Sequence, residues 1–249
     1  PLPNNIVMPG APIVDLAFSP DATLLGLLNA DRVQLVDVVD GDVVAAFELT
    51  EPHASIAFAK GFGVFLGAES GVLRQLEKQQ DGAWKMRQLW QGNAAIRRLE
   101  ASTTGRYLVV VDARNLASQF ILDEGRMSEA TLQLPGHVVE SSFASSGGRI
   151  LFRTPRWVHR ATASPTGLVW VDSALVPKAL PGAQLVLGRT ADGKALAGRI
   201  LLPTMRSGYF ELTDVGLGST SGPRLFGNRD ELLQDWQVRL LGSAATQEP

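Results

Sequence analysis

One short segment concentrates residue types that bind charged or aromatic groups. Residues 149–160, RILFRTPRWVHR, hold four arginines, a tryptophan and a histidine: Arg149, Arg153, Arg156, Arg160, Trp157 and His159. Arginine and exposed tryptophan are enriched where proteins hold their partners. We therefore predict a contact surface for a protein partner or an anionic group, formed by Arg153, Arg156, Trp157, His159 and Arg160. The alternative is that the arginines pair with acidic residues nearby while Trp157 fills a gap between sheets.

A second set of residues has the chemistry for acid–base catalysis. Asp15, Glu100 and Glu140 fall on corresponding apolar-polar strands of three similar segments. If these strands line a common channel, two of the carboxylates would form an acid–base pair or hold a metal ion. The competing interpretation is that basic neighbours such as Arg97 and Arg98 neutralise them.

Other catalytic and cofactor motifs are absent from the sequence. The histidines, His53, His137 and His159, show no HxH or HExxH spacing, which argues against a zinc site. The chain has no cysteine, no GxSxG, no GxxxxGK[ST] and no GxGxxG. We predict no catalytic residue, no metal and no cofactor.

Charge and hydropathy exclude two classes of partner. The 23 basic and 25 acidic side chains leave a net charge of -2, so no overall field favours nucleic acid. No apolar run approaches the roughly 18 residues that cross a bilayer, and we expect a soluble segment without membrane insertion. The first residue is proline rather than methionine, which favours a domain of a longer polypeptide. The compartment stays open.

Elements that would position these residues recur along the chain. Five similar segments begin near Gly10, Glu51, Gly92, Gly136 and Gly182, separated by 41, 41, 44 and 46 residues. Each contains an alternating strand, a small polar turn and a more continuous apolar strand; the turns read SPDA, AKGF, STTG, SSGG and TADG. Third strands are predicted at residues 33–37, 72–77 and 116–122, and fourth strands at 43–49, 84–90 and 130–134. Four short strands per unit of about 40 to 45 residues are typical of one blade of a β-propeller.

The chain resembles the WD-repeat and related β-propeller families over residues 4–226. The resemblance is clearest in AFSPDATLL and the following Asp31, Val33, Leu35, Val36 and Asp37, while Gly136-His137 matches the Gly-His pair of such repeats. The Trp-Asp pair of the family is replaced by Val36-Asp37 and Leu76-Glu77. The resemblance implies an all-β propeller of about five to six four-stranded blades.

The end of the chain changes period. In NRDELLQDWQVRLLG, Leu233, Trp236 and Leu240 lie at helical spacing, with Asn228 as a cap and Gly242 as a stop. We predict a propeller domain at residues 1–227, a short amphipathic helix at 228–242 and a flexible tail at 243–249. The apolar side of this helix, formed by Leu233, Trp236 and Leu240, would pack on the propeller or on another domain or subunit.

These features together predict a non-enzymatic scaffold or protein-interaction module. Its partner would be another protein or other domains of a larger chain. The alternative is a propeller-type small-ligand-binding protein or metal-dependent hydrolase, with acidic residues at the channel mouth.

Overall fold

Antiparallel β-sheets form the structure. The computed structural model describes residues 12–143, 147–155, 157–175, 184–189, 195–203, 210–214, 224–226 and 237–239. Over these residues the regular structure comprises five sheets and no helix. The prediction of an all-β chain is confirmed.

Three sheets follow one another along the first half of the chain. The first contains β1 (Asp15–Phe18), β2 (Leu24–Leu28), β3 (Arg32–Asp37) and β4 (Val43–Glu48). The second contains β5 (His53–Ala59), β6 (Gly63–Ala68), β7 (Val72–Lys78) and β8 (Trp84–Gln91). The third contains β9 (Ile96–Ala101), β10 (Tyr107–Asp112), β11 (Leu116–Ile121), β12 (Arg126–Met127) and β13 (Leu132–Gln133).

Two more sheets follow. The fourth contains β14 (Glu140–Phe143), β15 (Arg149–Arg153), β16 (Trp157–Ser164) and β17 (Gly167–Leu175). The fifth contains β18 (Gln184–Arg189), β19 (Ala195–Pro203), β20 (Phe210–Asp214), β21 (Arg224–Phe226) and β22 (Gln237–Arg239). By Cα distances the chain divides into two compact units, residues 1–134 with 165–168, and residues 135–164 with 169–249.

The serine-containing turns repeat the same hydrogen bonds. The hydroxyl of Ser19 accepts a hydrogen bond from the N–H of Leu24, and the hydroxyl of Ser102 accepts one from the N–H of Tyr107, five residues on in each case. A side chain that satisfies a turn N–H in this way favours a tight reversal. The turns SPDA and STTG are therefore structural copies, as their spacing predicts.

Apolar residues fill the spaces between the first three sheets. One cluster lies between the first and second sheets, and another lies between the second and third. Glycine on the second strand permits the close approach: a Cβ on Gly26 would lie 2.6 Å from Ile56, and one on Gly67 would lie 2.4 Å from Ile96. A glycine at the corresponding position of both sheets therefore allows each sheet to pack closely against the next.

Two predicted elements differ from the structure. The fourth strand predicted at residues 130–134 is shorter in the structure: only Leu132–Gln133 pair with β11, as β13, and Ala130 instead forms a parallel bridge with Gly167. The helix predicted at 228–242 is wrong at Gln237–Arg239, which pair with β18 as strand β22. Val238 alternates with Gln237 and Arg239 there, so the same residues also have the period of a strand. Leu233, Trp236 and Leu240 lie outside the described residues.

Candidate interaction surface

The Asp15 carboxylate links neighbouring first strands. Its Oδ2 atom accepts hydrogen bonds from the Ser55 hydroxyl at 3.0 Å and the Ile56 N–H at 2.9 Å. The Ser55 hydroxyl oxygen in turn accepts one from the N–H of Leu99, at 3.0 Å. A continuous chain of bonds thus joins β1, β5 and β9. Asp15 has the surroundings of a structural carboxylate, since its partners are backbone and hydroxyl donors of the packed sheets.

Glu140 is held within the fourth sheet. Its Oε2 atom lies 2.5 Å from Nε of Arg153, the residue directly opposite it on β15. The two side chains are only 16% and 14% exposed. Glu100 lies on β9 and is half-buried. Within the described ranges, no three histidine or carboxylate groups are close enough together to hold a metal ion.

The three histidines have different surroundings. His137 is exposed, whereas His53 and His159 are each only 2% exposed. His53 Nδ1 lies 2.8 Å from the carbonyl oxygen of Glu51, and its Nε2 is buried with no hydrogen-bond partner among the described residues. The Glu51 carboxylate pairs with Arg74, at 2.6 Å. Burial lowers the pKa of His53, and the charge of Arg74 lowers it further, while Glu51 opposes the shift.

The lowered pKa of His53 predicts acid sensitivity of the fold. An unfolded histidine titrates near pH 6.5, whereas folded His53 titrates lower, so the unfolded state takes up the proton first as pH falls. The contribution of neutral His53 to the free energy of unfolding is therefore fully present above about pH 7. It is lost as pH falls through about 6.5 toward the lower pKa of the folded state. The melting temperature should therefore decrease as the pH is lowered from about 7. The variant His53→Asn keeps a donor for the Glu51 carbonyl and should make this decrease smaller.

A measurement of melting temperature at closely spaced pH values checks this expectation. His159 also has its pKa lowered by burial and contributes to the same fall, so the variant removes only part of it. His137→Asn, at the exposed histidine, is the matched control. An unchanged slope in His53→Asn would contradict the assignment.

The segment that begins at Arg149 divides into buried and exposed residues. Arg153 is largely buried against Glu140, His159 is buried, and Arg160 is half-buried. Trp157 is 42% exposed. Arg156 lies outside the described residues. The structure therefore separates the exposed tryptophan from the two buried side chains that the sequence places beside it.

A second tryptophan joins Trp157. The ring of Trp170 on β17 lies 5.0 Å from the ring of His159, at an interplanar angle of 44°. Trp157 and His159 lie two residues apart on β16 and therefore point to the same side of the sheet, and Trp170 contacts the His159 ring from the neighbouring strand. Trp170 is 37% exposed. We call Trp157 and Trp170 the tryptophan face, with His159 buried beside them.

Polar contacts hold His159 in place. Its Nδ1 atom lies 2.8 Å from the hydroxyl oxygen of Ser173, and its Nε2 atom lies 3.5 Å from that of Thr154. The contact with Ser173 orients the imidazole ring, against which the Trp170 ring packs at a tilt. Sequence reasoning missed Trp170, although the uncharged run Val169-Trp170-Val171 on a single strand was a usable signal. All three residues of that run are exposed.

Comparison with known proteins identifies the fold. No protein-family profile and no curated protein sequence matches the chain. In three dimensions it is similar to the β-propeller domain of Cps50 (Swd1) from Myceliophteria thermophila, with a TM-score of 0.61. The match covers 86% of this chain and 73% of that chain, at 11% sequence identity. The chain has a β-propeller fold. No helix in the described part of the chain is long and apolar enough to cross a membrane.

Proposed function

We propose that this chain is a non-enzymatic protein-interaction module on a WD-repeat-like propeller, and that the tryptophan face is its contact surface. The observation that carries the proposal is the exposure of Trp157 and Trp170, at 42% and 37%, on neighbouring strands of the fourth sheet next to His159. Each tryptophan buries a large apolar area when a partner covers it, and tryptophan is among the residues enriched at the hot spots of protein interfaces.

The surroundings of the face support binding rather than chemistry. His159 is occupied by Ser173, Thr154 and the Trp170 ring. Two of the carboxylates with catalytic potential have structural partners: Asp15 links the first and second sheets through Ser55 and Ile56, and Glu140 pairs with Arg153 within the fourth sheet. A rigid aromatic surface loses little side-chain entropy on binding. The partner is therefore a protein with an apolar patch that covers two tryptophan rings.

A crosslinking experiment tests this proposal. A photoreactive phenylalanine derivative at position 157 or 170 is expected to crosslink one discrete protein in extracts of the source cells. The matched control carries the same residue at Gln88, an exposed position on β8 in the other unit. Crosslinking of the same proteins from position 88, or none from positions 157 and 170, would reject the tryptophan face as the contact surface.

Affinity for the crosslinked protein gives the quantitative prediction. Trp157→Ala and Trp170→Ala are each expected to weaken binding by about 1–2 kcal/mol, or roughly tenfold, because each removes an interface anchor. Trp170→Ala also removes the contact with His159 and should lower the melting temperature somewhat, so affinities are compared at a temperature at which every variant is folded. Isothermal titration beside thermal unfolding checks both. Undiminished affinity in the double variant would contradict the proposal.

A further inference from the structure

The outer strand of the first sheet lacks the usual protection of a sheet edge. β4 pairs with β3 alone among the described strands. Its residues are VVAAFE, so five consecutive positions carry no charge. Natural sheets protect their edges with charged residues, proline or very short strands, since an open edge pairs readily with another strand. The corresponding strand of the second sheet, β8, carries Lys85 and Arg87.

The backbone of β4 presents hydrogen-bonding groups outward. The N–H of Leu49 donates to the carbonyl oxygen of Asp31, which directs residue 49 toward β3. Because antiparallel strands alternate, residues 47 and 45 also face β3, and Ala46 and Glu48 direct their N–H and C=O groups away from the sheet. Both residues are exposed. An extended chain placed beside β4 would meet these groups.

Exposed valines lie beside this edge. Val39, in the turn before β4, is 77% exposed, and Val43 and Val44 at the start of the strand are 53% and 44% exposed. These residues lie within one short stretch of chain. We call them, with Ala46, the valine edge. Apolar side chains beside open backbone groups are the two components by which a sheet edge binds an added strand.

Charge decides which strand fits. Residues 12–49 contain seven acidic side chains and one arginine, Arg32, which pairs with Glu48. Asp40 and Asp42 are exposed at the beginning of the valine edge, while Glu48 closes it. A second copy of this chain would bring acidic residues against acidic residues in either strand direction, which disfavours self-pairing.

We propose that the valine edge binds an extended segment of another protein, with apolar residues in alternation and lysine or arginine at its ends. Main-chain hydrogen bonds to Ala46 and Glu48 supply affinity, the valines contact alternate apolar side chains, and Asp40 and Asp42 select the basic end. This site is separate from the tryptophan face in sequence, and it selects a basic segment, whereas the tryptophan face is proposed to bind an apolar patch. Its occupant adds a fifth strand to the first sheet.

Synthetic peptides test the site directly. The probe is capped Lys-Val-Thr-Val-Thr-Val-Lys, and its control is Glu-Val-Thr-Val-Thr-Val-Glu. The lysine peptide is expected to bind at least about tenfold more tightly at low salt, with the difference reduced by salt. Hydrogen exchange over residues 43–48 should slow when it binds. Equal affinities, or no binding by the lysine peptide, would overturn the proposal.

Substitutions at Ala46 separate strand addition from simple charge attraction. Ala46→Pro removes an outward N–H without touching the bonds to β3, which edge strands tolerate. Ala46→Pro is expected to lower the affinity for the lysine peptide at least about fivefold. Ala46→Ser keeps the N–H and should leave that affinity unchanged. Undiminished binding by Ala46→Pro would overturn the proposal. A dimer of the wild-type chain that dissociates in Ala46→Pro would also overturn the proposal, since a second copy of the chain would then occupy the valine edge.

Trp157→Ala should leave the affinity for the lysine peptide unchanged. This test and the test of the proposed function can therefore fail independently.

Discussion

Replacing Phe65 with alanine is expected to lower the free energy of unfolding by about 3–5 kcal/mol. Phe65 lies on β6 with no exposed surface, in the cluster between the second and third sheets. Leu99, Leu108 and Phe120 belong to the same cluster. Truncation removes the ring's transfer free energy and leaves a cavity that close-packed strands cannot fill by moving. The melting temperature should fall by roughly 6–20 °C for a chain of this size.

Urea unfolding followed by circular dichroism and tryptophan fluorescence measures this loss. Val39→Ala is the control, because Val39 is 77% exposed and its truncation should change stability by less than about 0.5 kcal/mol. A loss below about 1 kcal/mol for Phe65→Ala would mean that the two sheets close over the cavity. That result would contradict the rigid packing inferred from Gly67 and Ile96.

Repeated patterns made most of the fold predictable from the sequence. Strand alternation and polar turns recur at almost constant spacing, so each copy confirms the assignment of the others. The predicted strands at 33–37, 72–77 and 116–122 correspond to β3, β7 and β11. Features that depend on contacts outside the repeat were not predictable. Ala130 leaves its sheet to pair with Gly167, and Gln237–Arg239 pair with β18, and neither partner is visible in local sequence.

The candidate site was predictable only in part, for a related reason. Residue type marks Arg153, Trp157 and His159 as capable of binding, but burial depends on the strand opposite. Arg153 lies across from Glu140, so an ion pair inside the sheet takes the guanidinium away from the surface. Trp170 lies on a different strand and is brought into the site by its contact with His159. Sequence proximity therefore selected one exposed tryptophan, Trp157, and missed Trp170 on the neighbouring strand.

The ion pair of Arg153 predicts a second large effect. Arg153→Ala is expected to lower the free energy of unfolding by about 3 kcal/mol, because it leaves the carboxylate of Glu140, only 16% exposed, without its guanidinium partner. Arg149→Ala on the same strand is the matched control, since Arg149 is exposed and its loss should cost less than about 0.5 kcal/mol. Urea unfolding of both variants measures the difference.

A double variant identifies the cause of that loss. Arg153→Met combined with Glu140→Gln removes both charges and keeps similar volumes, so it should recover most of the stability lost in Arg153→Ala, as neutral replacements of buried pairs do. If Arg153 instead contacted the partner directly, Arg153→Ala would bind the partner more weakly even at temperatures well below its melting temperature. The neutral double variant would not restore the affinity. The pairing geometry predicts the opposite: if the tryptophan face is the contact surface, as proposed, binding should persist in Arg153→Ala and in the neutral double variant at temperatures where both are folded.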